Sequence, residues 1–234
     1  MNDGSATPSV EQYYSSLESR LGYWLLLGNA RHCGYWPPGT LWSFPIGRAL
    51  RTMEEKLYER LELPAGAKTL DAGAGSGVVA SYMAKKGLVV QGIDLTPLHV
   101  QDAQRVIKAQ GLTSDQITVR QGDYHDLSDV DNASLDGVYT METFVHADDP
   151  LKNTLKEGTY ESLLEDAGFT NITVDDYTDN VLPLWRLSGI LGSVPYDLMR
   201  LVGQEKRFTN IMAGVEAYRH WGQGRYISVR AVNP

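Results

Sequence analysis

Asp71-Ala72-Gly73-Ala74-Gly75-Ser76-Gly77 is the stretch whose reading decides the fold. A short strand over Thr69–Ala72 runs into its glycines, Gly73–Gly77, and a helical pattern begins at Val78, so it reads as a glycine loop between a strand and a helix. Glycines let a ligand approach the backbone closely, and the start of a helix offers free N–H groups. A dinucleotide loop reads G-x-G-x-x-G, and Val78 stands where its third glycine belongs. Here the spacing is G-x-G-x-G with the carboxylate of Asp71 two positions ahead. A carboxylate there repels a pyrophosphate and suits a ligand that carries an ammonium group.

Toward the C-terminus, strand and helix alternate. A helix over Val78–Lys86 stops at Gly87, and a buried strand covers Leu88–Leu95. Thr96 caps and Pro97 opens a helix that runs to Gln110, with Gly111 beyond it. Further strands are expected over Ile117–Arg120 and Leu135–Met141. This alternation predicts an α/β fold built on a doubly wound, Rossmann-like parallel sheet. A helix over Tyr160–Ala167, a strand over Ile172–Tyr177, a mixed apolar insertion over residues 181–222 and a last strand over Arg225–Val232 complete the chain. Toward the N-terminus, Ser9 and Gln12 have capping-box spacing, and Val10, Tyr13, Tyr14, Leu17, Leu21 and Trp24 recur at helical intervals. An aromatic loop from Gly28 to Phe44 leads to a second helix with Ile46, Leu50, Met53, Leu57 and Leu61 on one face. Residues 1–66 are expected to form a helical aromatic cap and residues 67–234 the core, with 181–222 as a lid, in effect one domain.

Two further carboxylates sharpen the loop's meaning. Asp94 ends the second strand about twenty residues after the glycines, where an acid can accept both ribose hydroxyls. Asp123 follows the third strand in Gly122-Asp123-Tyr124-His125 and could accept from an exocyclic adenine amine. One such aspartate alone is most often a solvated loop or cap residue. Three at the C-terminal ends of successive strands favour a ligand, because ligands of open α/β sheets bind along that edge. An ammonium, a ribose and an adenine without phosphates describe S-adenosyl-L-methionine.

The composition agrees. Lys and Arg number 21 against 29 Asp and Glu, for a net charge of -8, which lacks the dense positive field that a nucleic-acid partner needs. The single cysteine, Cys33, excludes an internal disulfide framework, and the five scattered histidines show no zinc-like spacing, so no metal is expected. The polar, acidic opening MNDGSATPSVEQ is unlike a secretory signal, and no uncharged apolar run reaches the ~18 residues of a membrane span. A cytoplasmic enzyme domain is the expectation.

DAGAGSG, the acid ending GIDL, GDYHDL and GVYTMETFVHA resemble the motifs of class I S-adenosyl-L-methionine-dependent methyltransferases. YYSSLESRLGYW with RHCGYW is similar, more narrowly, to the sterol 24-C-methyltransferase-like branch and its fungal relatives in small-molecule secondary metabolism. The likeness spans nearly the whole chain. It implies that Asp71, Gly73, Gly75, Asp94, Leu95, Asp123 and Tyr124 line the cofactor site and that Tyr14 folds over the cofactor.

Methyl transfer from a sulfonium asks the protein mainly to align donor and acceptor and to exclude water. A base is needed only when the acceptor must lose a proton, and Glu142 and His146, four apart after the fourth strand, are the candidates. His32 sits in the aromatic loop, where aromatic faces and a carboxylate could stabilise a carbocation. Tyr23, Trp24, Tyr35, Trp36 and Trp185 are the candidate substrate contacts, with packing of the cap as the plainer role for most. The apolar stretch Val181–Val202 reads as a lipophilic lid, a packing face or a homodimer surface. The leading expectation is a methyltransferase acting at carbon on a lipophilic small molecule of sterol, terpenoid or polyketide type. O- or N-methylation, a cyclase or isomerase that uses the sulfonium without losing its methyl, and a non-catalytic binding protein stay open beside it.

One departure stands out. Between the fourth strand and the strand at Ile172, the resembled family places a helix, a fifth parallel strand after a Pro-Gly-Gly turn, and another helix. Only about thirty residues lie there, with His146-Ala-Asp-Asp-Pro-Leu-Lys152 running into Asn153-Thr-Leu-Lys-Glu-Gly. A parallel crossover takes a dozen residues or more. The join near Lys152–Asn153 therefore reads as a missing segment that would have carried the central fifth strand.

Overall fold

The structure, a computed structural model, describes residues 27–143, 157–203 and 208–234. Among these, two compact units separate, one holding residues 27–31 and 63–143, the other residues 32–62, 157–203 and 208–234. The N-terminal cap expected over 1–66 is thus divided between them. Its first helix lies outside the described residues, as do the candidate residues Tyr14, Tyr23, Trp24 and His146 and the Lys152–Asn153 join.

The first unit is the parallel sheet. Strands β1 (Lys68–Ala72), β2 (Val89–Asp94), β3 (Ile117–Gln121) and β4 (Gly137–Tyr139) lie in the order β3-β2-β1-β4, all parallel. Right-handed crossover connections through helices α2 (Val78–Lys85) and α3 (Pro97–Ala109) are what parallel neighbours require. Helix α1 (Ile46–Leu61) precedes the sheet in sequence and belongs to the second unit. Leu70, Met83, Leu88, Val90, Ile93 and Ala103 are each no more than 1% exposed and form the interior of the sheet unit. The α2 entry needs glycine at position 77. There φ is +72°, and a Cβ would sit 2.7 Å from the Cβ of Ala103 on α3.

β4 is shorter than expected. A strand is expected over Leu135–Met141, yet only Gly137–Tyr139 pair, in register with Thr69–Asp71 of β1. The physical reason is one-sided pairing, because no described strand lies on β4's outer edge. Val138 accordingly is 55% exposed in what should be a covered strand.

In the second unit, β5 (Thr170–Asp176) and β6 (Ile227–Val232) pair antiparallel, with Val174 opposite Val229. Helix α4 (Thr159–Asp166) leads into β5, and α5 (Thr178–Leu201) and α6 (Thr209–Arg219) fill the interval before β6. Among its described residues, the mixed insertion expected over 181–222 is therefore mainly two helices. Pro183 and Pro195 both lie inside the continuous 24-residue α5. Burial of Val181, Leu184 and Tyr196 outweighs the propensity cost. Gly189 allows close approach, since a Cβ there would meet the Tyr218 ring at 2.2 Å. No helix among the described residues is long and apolar enough to cross a membrane.

Candidate cofactor and active site

Asp71 and Asp94 end adjacent strands, so the sheet alone brings them together. Asp71, next to last in β1, is 2% exposed, and Asp94, last in β2, is 8% exposed. Between them runs the glycine loop. Gly73 and Ala74 donate their backbone N–H groups to the carbonyl of Ile93, both at 2.9 Å, which ties the loop to β2. Gly73 has φ +91°, and a Cβ there would lie 2.3 Å from Thr143 Cγ2, so only glycine fits. Gly75 faces open space instead, where an added Cβ would meet nothing closer than Arg31 Cδ at 3.6 Å. Its bare backbone is thus available for close approach of a ligand.

Asp94 is a hub. Its Oδ2 accepts from Gly75 N–H at 2.8 Å, and its Oδ1 from Thr96 N–H and from His99 Nδ1, each at 2.9 Å. Arg31 Nη1 donates to the far nitrogen of His99. A guanidinium can only donate, so His99 accepts at Nε2 and carries its proton on Nδ1. Burial alone would raise Asp94, but these bonds, that of His99 foremost, hold its carboxyl below the usual carboxylate range.

Asp71 has the opposite environment. Burial pushes its carboxyl up to about 7, opposed by the Tyr139 hydroxyl and reinforced by the charge of Asp94. Its Oδ2 is buried without a hydrogen-bond partner. A buried carboxylate oxygen that lacks a donor, beside a bare glycine loop, is able to accept from a donor or meet a cation.

Asp123 is exposed, and its Oδ1 accepts from His125 N–H at 2.9 Å and from His125 Nδ1 at 2.8 Å, which lowers its carboxyl. The adjoining Tyr124 and His125 rings lie 4.4 Å apart. Leu95 is 57% exposed at the end of β2, an apolar surface suited to a flat base.

Glu142 holds an unusual backbone, with φ +55° in the left-handed region. For a side chain with a Cβ this is costly and tends to persist at functional sites. The turn it makes brings Thr143 Oγ1 to 3.4 Å from the carbonyl of Gly73. The Thr140 hydroxyl nearby is buried without a hydrogen-bond partner.

The remaining candidates are held apart from this cluster in sequence and lie in the second unit. His32 is 2% exposed; its Nδ1 donates to Cys33 O at 2.9 Å and its Nε2 lies 3.3 Å from Glu54 Oε1. Glu54, fully buried, also meets Arg51 Nη1 at 2.6 Å. Both ring nitrogens of His32 are therefore committed within the fold. Trp36 is 5% exposed and donates from its indole to Ser43 O at 3.0 Å, a packing role. Tyr35 is half-buried, edge-on to Tyr177 at 5.1 Å, and Trp185 is half-buried on α5. Arg31, His99, Tyr139 and Thr143 were missed in the sequence, because Arg31, Tyr139 and Thr143 reach the loop only through the fold, and His99, five residues beyond Asp94, carried no motif of its own.

A parallel sheet with a glycine loop and carboxylates on its C-terminal edge defines an α/β protein that binds a nucleoside-bearing cofactor. Residues 69–164 match the family model described as "Methyltransferase domain". Across its whole length the chain is 34% identical to the "S-adenosyl-L-methionine-dependent Diels-Alderase iccD" of Talaromyces variabilis, covering 97% of that protein. It is 44% identical over 138 residues to the "S-adenosyl-L-methionine-dependent Diels-Alderase iliD" of Neonectria sp. (strain DH2), which is 59% of this chain and 57% of that one. Among solved structures, the [4+2]-cyclase SpnF superposes with a TM-score of 0.73 at 18% identity, covering 98% of this chain and 97% of its own. The chain belongs to the family of S-adenosyl-L-methionine-dependent proteins with the methyltransferase fold, and S-adenosyl-L-methionine is its cofactor. The alignment with iccD runs to 284 positions against the 234 residues here, so at least 50 of them face a gap in this chain.

Proposed function

We propose that this protein is a cyclase that promotes an intramolecular [4+2] cycloaddition of a lipophilic small molecule, with the cofactor retained intact. The observation that carries the reading is the full-length relationship to iccD, 34% identity over 97% of that Diels-Alderase. In such a reaction two carbon–carbon σ bonds form, three π bonds become one, and no atom enters or leaves. No general base is required, in keeping with His32, whose ring nitrogens are already engaged. Catalysis then consists of holding a reactive conformer and of fixed electrostatics.

Bound S-adenosyl-L-methionine supplies a fixed positive charge at sulfur and, in the methyltransferase reading, a transferable methyl. Asp71 is proposed to meet the ammonium, Asp94 the ribose hydroxyls, Asp123 and Tyr124 the adenine, Leu95 the face of the base, and Gly73 and Gly75 the close backbone approach. Glu142, aimed by its left-handed backbone, is the proposed polar contact to the reacting molecule. Tyr35 and Trp185 are the proposed aromatic contacts to a lipophilic scaffold. The N-terminal likeness to the sterol 24-C-methyltransferase branch also supports an apolar substrate.

The methyltransferase reading stays second, supported by the match of residues 69–164 to a methyltransferase domain. Incubation with linear polyene substrates and methyl-labelled cofactor separates the two. A product of unchanged mass, formed without label and without loss of cofactor, is expected. Labelled product with stoichiometric S-adenosylhomocysteine would overturn the cyclase reading.

A further inference from the structure

Asp71 and Tyr139 stand opposite each other in register at the C-terminal ends of β1 and β4. They are 2% and 5% exposed. The phenol and the carboxyl influence each other, yet Asp71 Oδ2 and Tyr139 Oη are both buried without a partner of hydrogen-bonding geometry. An ionised carboxylate in that setting is costly unless a cation or donor meets it.

Among the described residues, the groups that bias Asp71 are Tyr139 from β4 and Asp94 from β2. Asp94 is negative, and its own charge is met by His99 from α3. On α2, the ionisable groups Tyr82 and Lys85 lie in the second half of the helix, beyond the loop. The surroundings of Asp71 therefore favour its neutral form.

We propose that Asp71 is protonated in the free protein and releases that proton to solvent when the ammonium of S-adenosyl-L-methionine arrives, so that cofactor binding expels a proton. The O–H bond of the acid breaks, the electron pair stays on oxygen, and the new carboxylate faces the ammonium. Tyr139 is the positioning residue; its hydroxyl favours the carboxylate and its ring excludes water from it. The inference rests on Asp71 being the partner of the ammonium.

The pH dependence follows from the elevated carboxyl at about 7. Below that pH the acid must lose its proton before the cation can pair, so affinity weakens by about tenfold per pH unit. Above it the carboxylate is already formed and affinity levels off.

Isothermal titration calorimetry with S-adenosylhomocysteine, in buffers of different ionisation enthalpy, counts the protons released. About 0.9 proton per ligand is expected at pH 6 and about 0.5 at pH 7. 5′-Methylthioadenosine, which lacks the amino-acid end, should bind without release. Tyr139→Phe should keep more release at pH 8, because the hydroxyl that favours the carboxylate is gone. Asp71→Asn should remove the buffer dependence. A binding enthalpy independent of buffer at pH 6 overturns the linkage, as does equal release with 5′-methylthioadenosine or with Asp71→Asn. Equal affinity of wild type and Asp71→Asn for S-adenosylhomocysteine at pH 8, where the carboxylate is already formed, instead overturns the placement of the ammonium at Asp71, and the linkage with it.

Discussion

Replacing Asp94 by asparagine changes one oxygen to an amide and removes one charge, and its effect can be worked from the contacts. Asp94 accepts three hydrogen bonds, from Gly75, Thr96 and His99, at 2.8, 2.9 and 2.9 Å. Hydrogen bonds to a charged group contribute about 1.5–3 kcal/mol each. Asparagine keeps one acceptor oxygen, which can serve the two donors on Oδ1 in neutral form, while its amide would face the Gly75 N–H, donor against donor. A loss of about 2–4 kcal/mol in stability follows, read as a lower urea midpoint with an unchanged m-value. The loss is pH-dependent. Asp94 has a lowered carboxyl, so its contribution is complete above the ordinary carboxylate range and fades as pH falls through the lowered value. Wild type and variant should therefore converge in strong acid. If the carboxylate also accepts both ribose hydroxyls, weakening each bond by about 1.5–2 kcal/mol lowers affinity for S-adenosylhomocysteine by about 10²–10³-fold. Calorimetry on variant protein shown to be folded by circular dichroism reads this directly. Affinity within threefold of wild type would refute the ribose role, and an unchanged urea midpoint would refute the hub.

Gly73→Ala combines φ +91° with a Cβ 2.3 Å from Thr143 Cγ2, so a stability loss of about 2–4 kcal/mol is expected in urea unfolding. Gly75→Ala meets only Arg31 Cδ at 3.6 Å; it should cost about 1 kcal/mol for its φ of +53° while weakening cofactor binding measured by calorimetry. Glu142→Gly relieves the left-handed backbone, and glycine's greater unfolded-state entropy offsets most of the gain. Stability is expected to stay within about 1 kcal/mol of wild type while turnover of substrate falls at least tenfold. Glu54→Ala leaves His32 and Arg51 without their shared buried carboxylate, and an unfolding free energy lower by about 3–5 kcal/mol is expected from denaturant titration.

The parts of the molecule that could be read from the chain are those whose physics is local. The glycine loop, Thr96 with Pro97, and the carboxylates at strand ends depend on neighbours within a few residues, and Asp71 and Asp94 lie on the sheet edge that the motif implied. What escaped depends on chain brought from far away. Arg31 reaches His99 across 68 residues, whereas His99 lies only five residues from Asp94, in the first turn of α3, and carried no motif of its own. The length of β4 was overestimated because an apolar run reports burial, whereas a ladder also needs a partner.

That unpartnered edge makes the chain a receiver. One side of Gly137–Tyr139 is satisfied by β1, while among the described residues no strand occupies the other side. A segment able to pair along this edge, supplied in cis or as a separate fragment, should find a template there and lengthen β4 as it docks. Without that complement, the same template invites copies of the chain to pair edge to edge, and self-association on storage becomes the signature of an unfilled sheet.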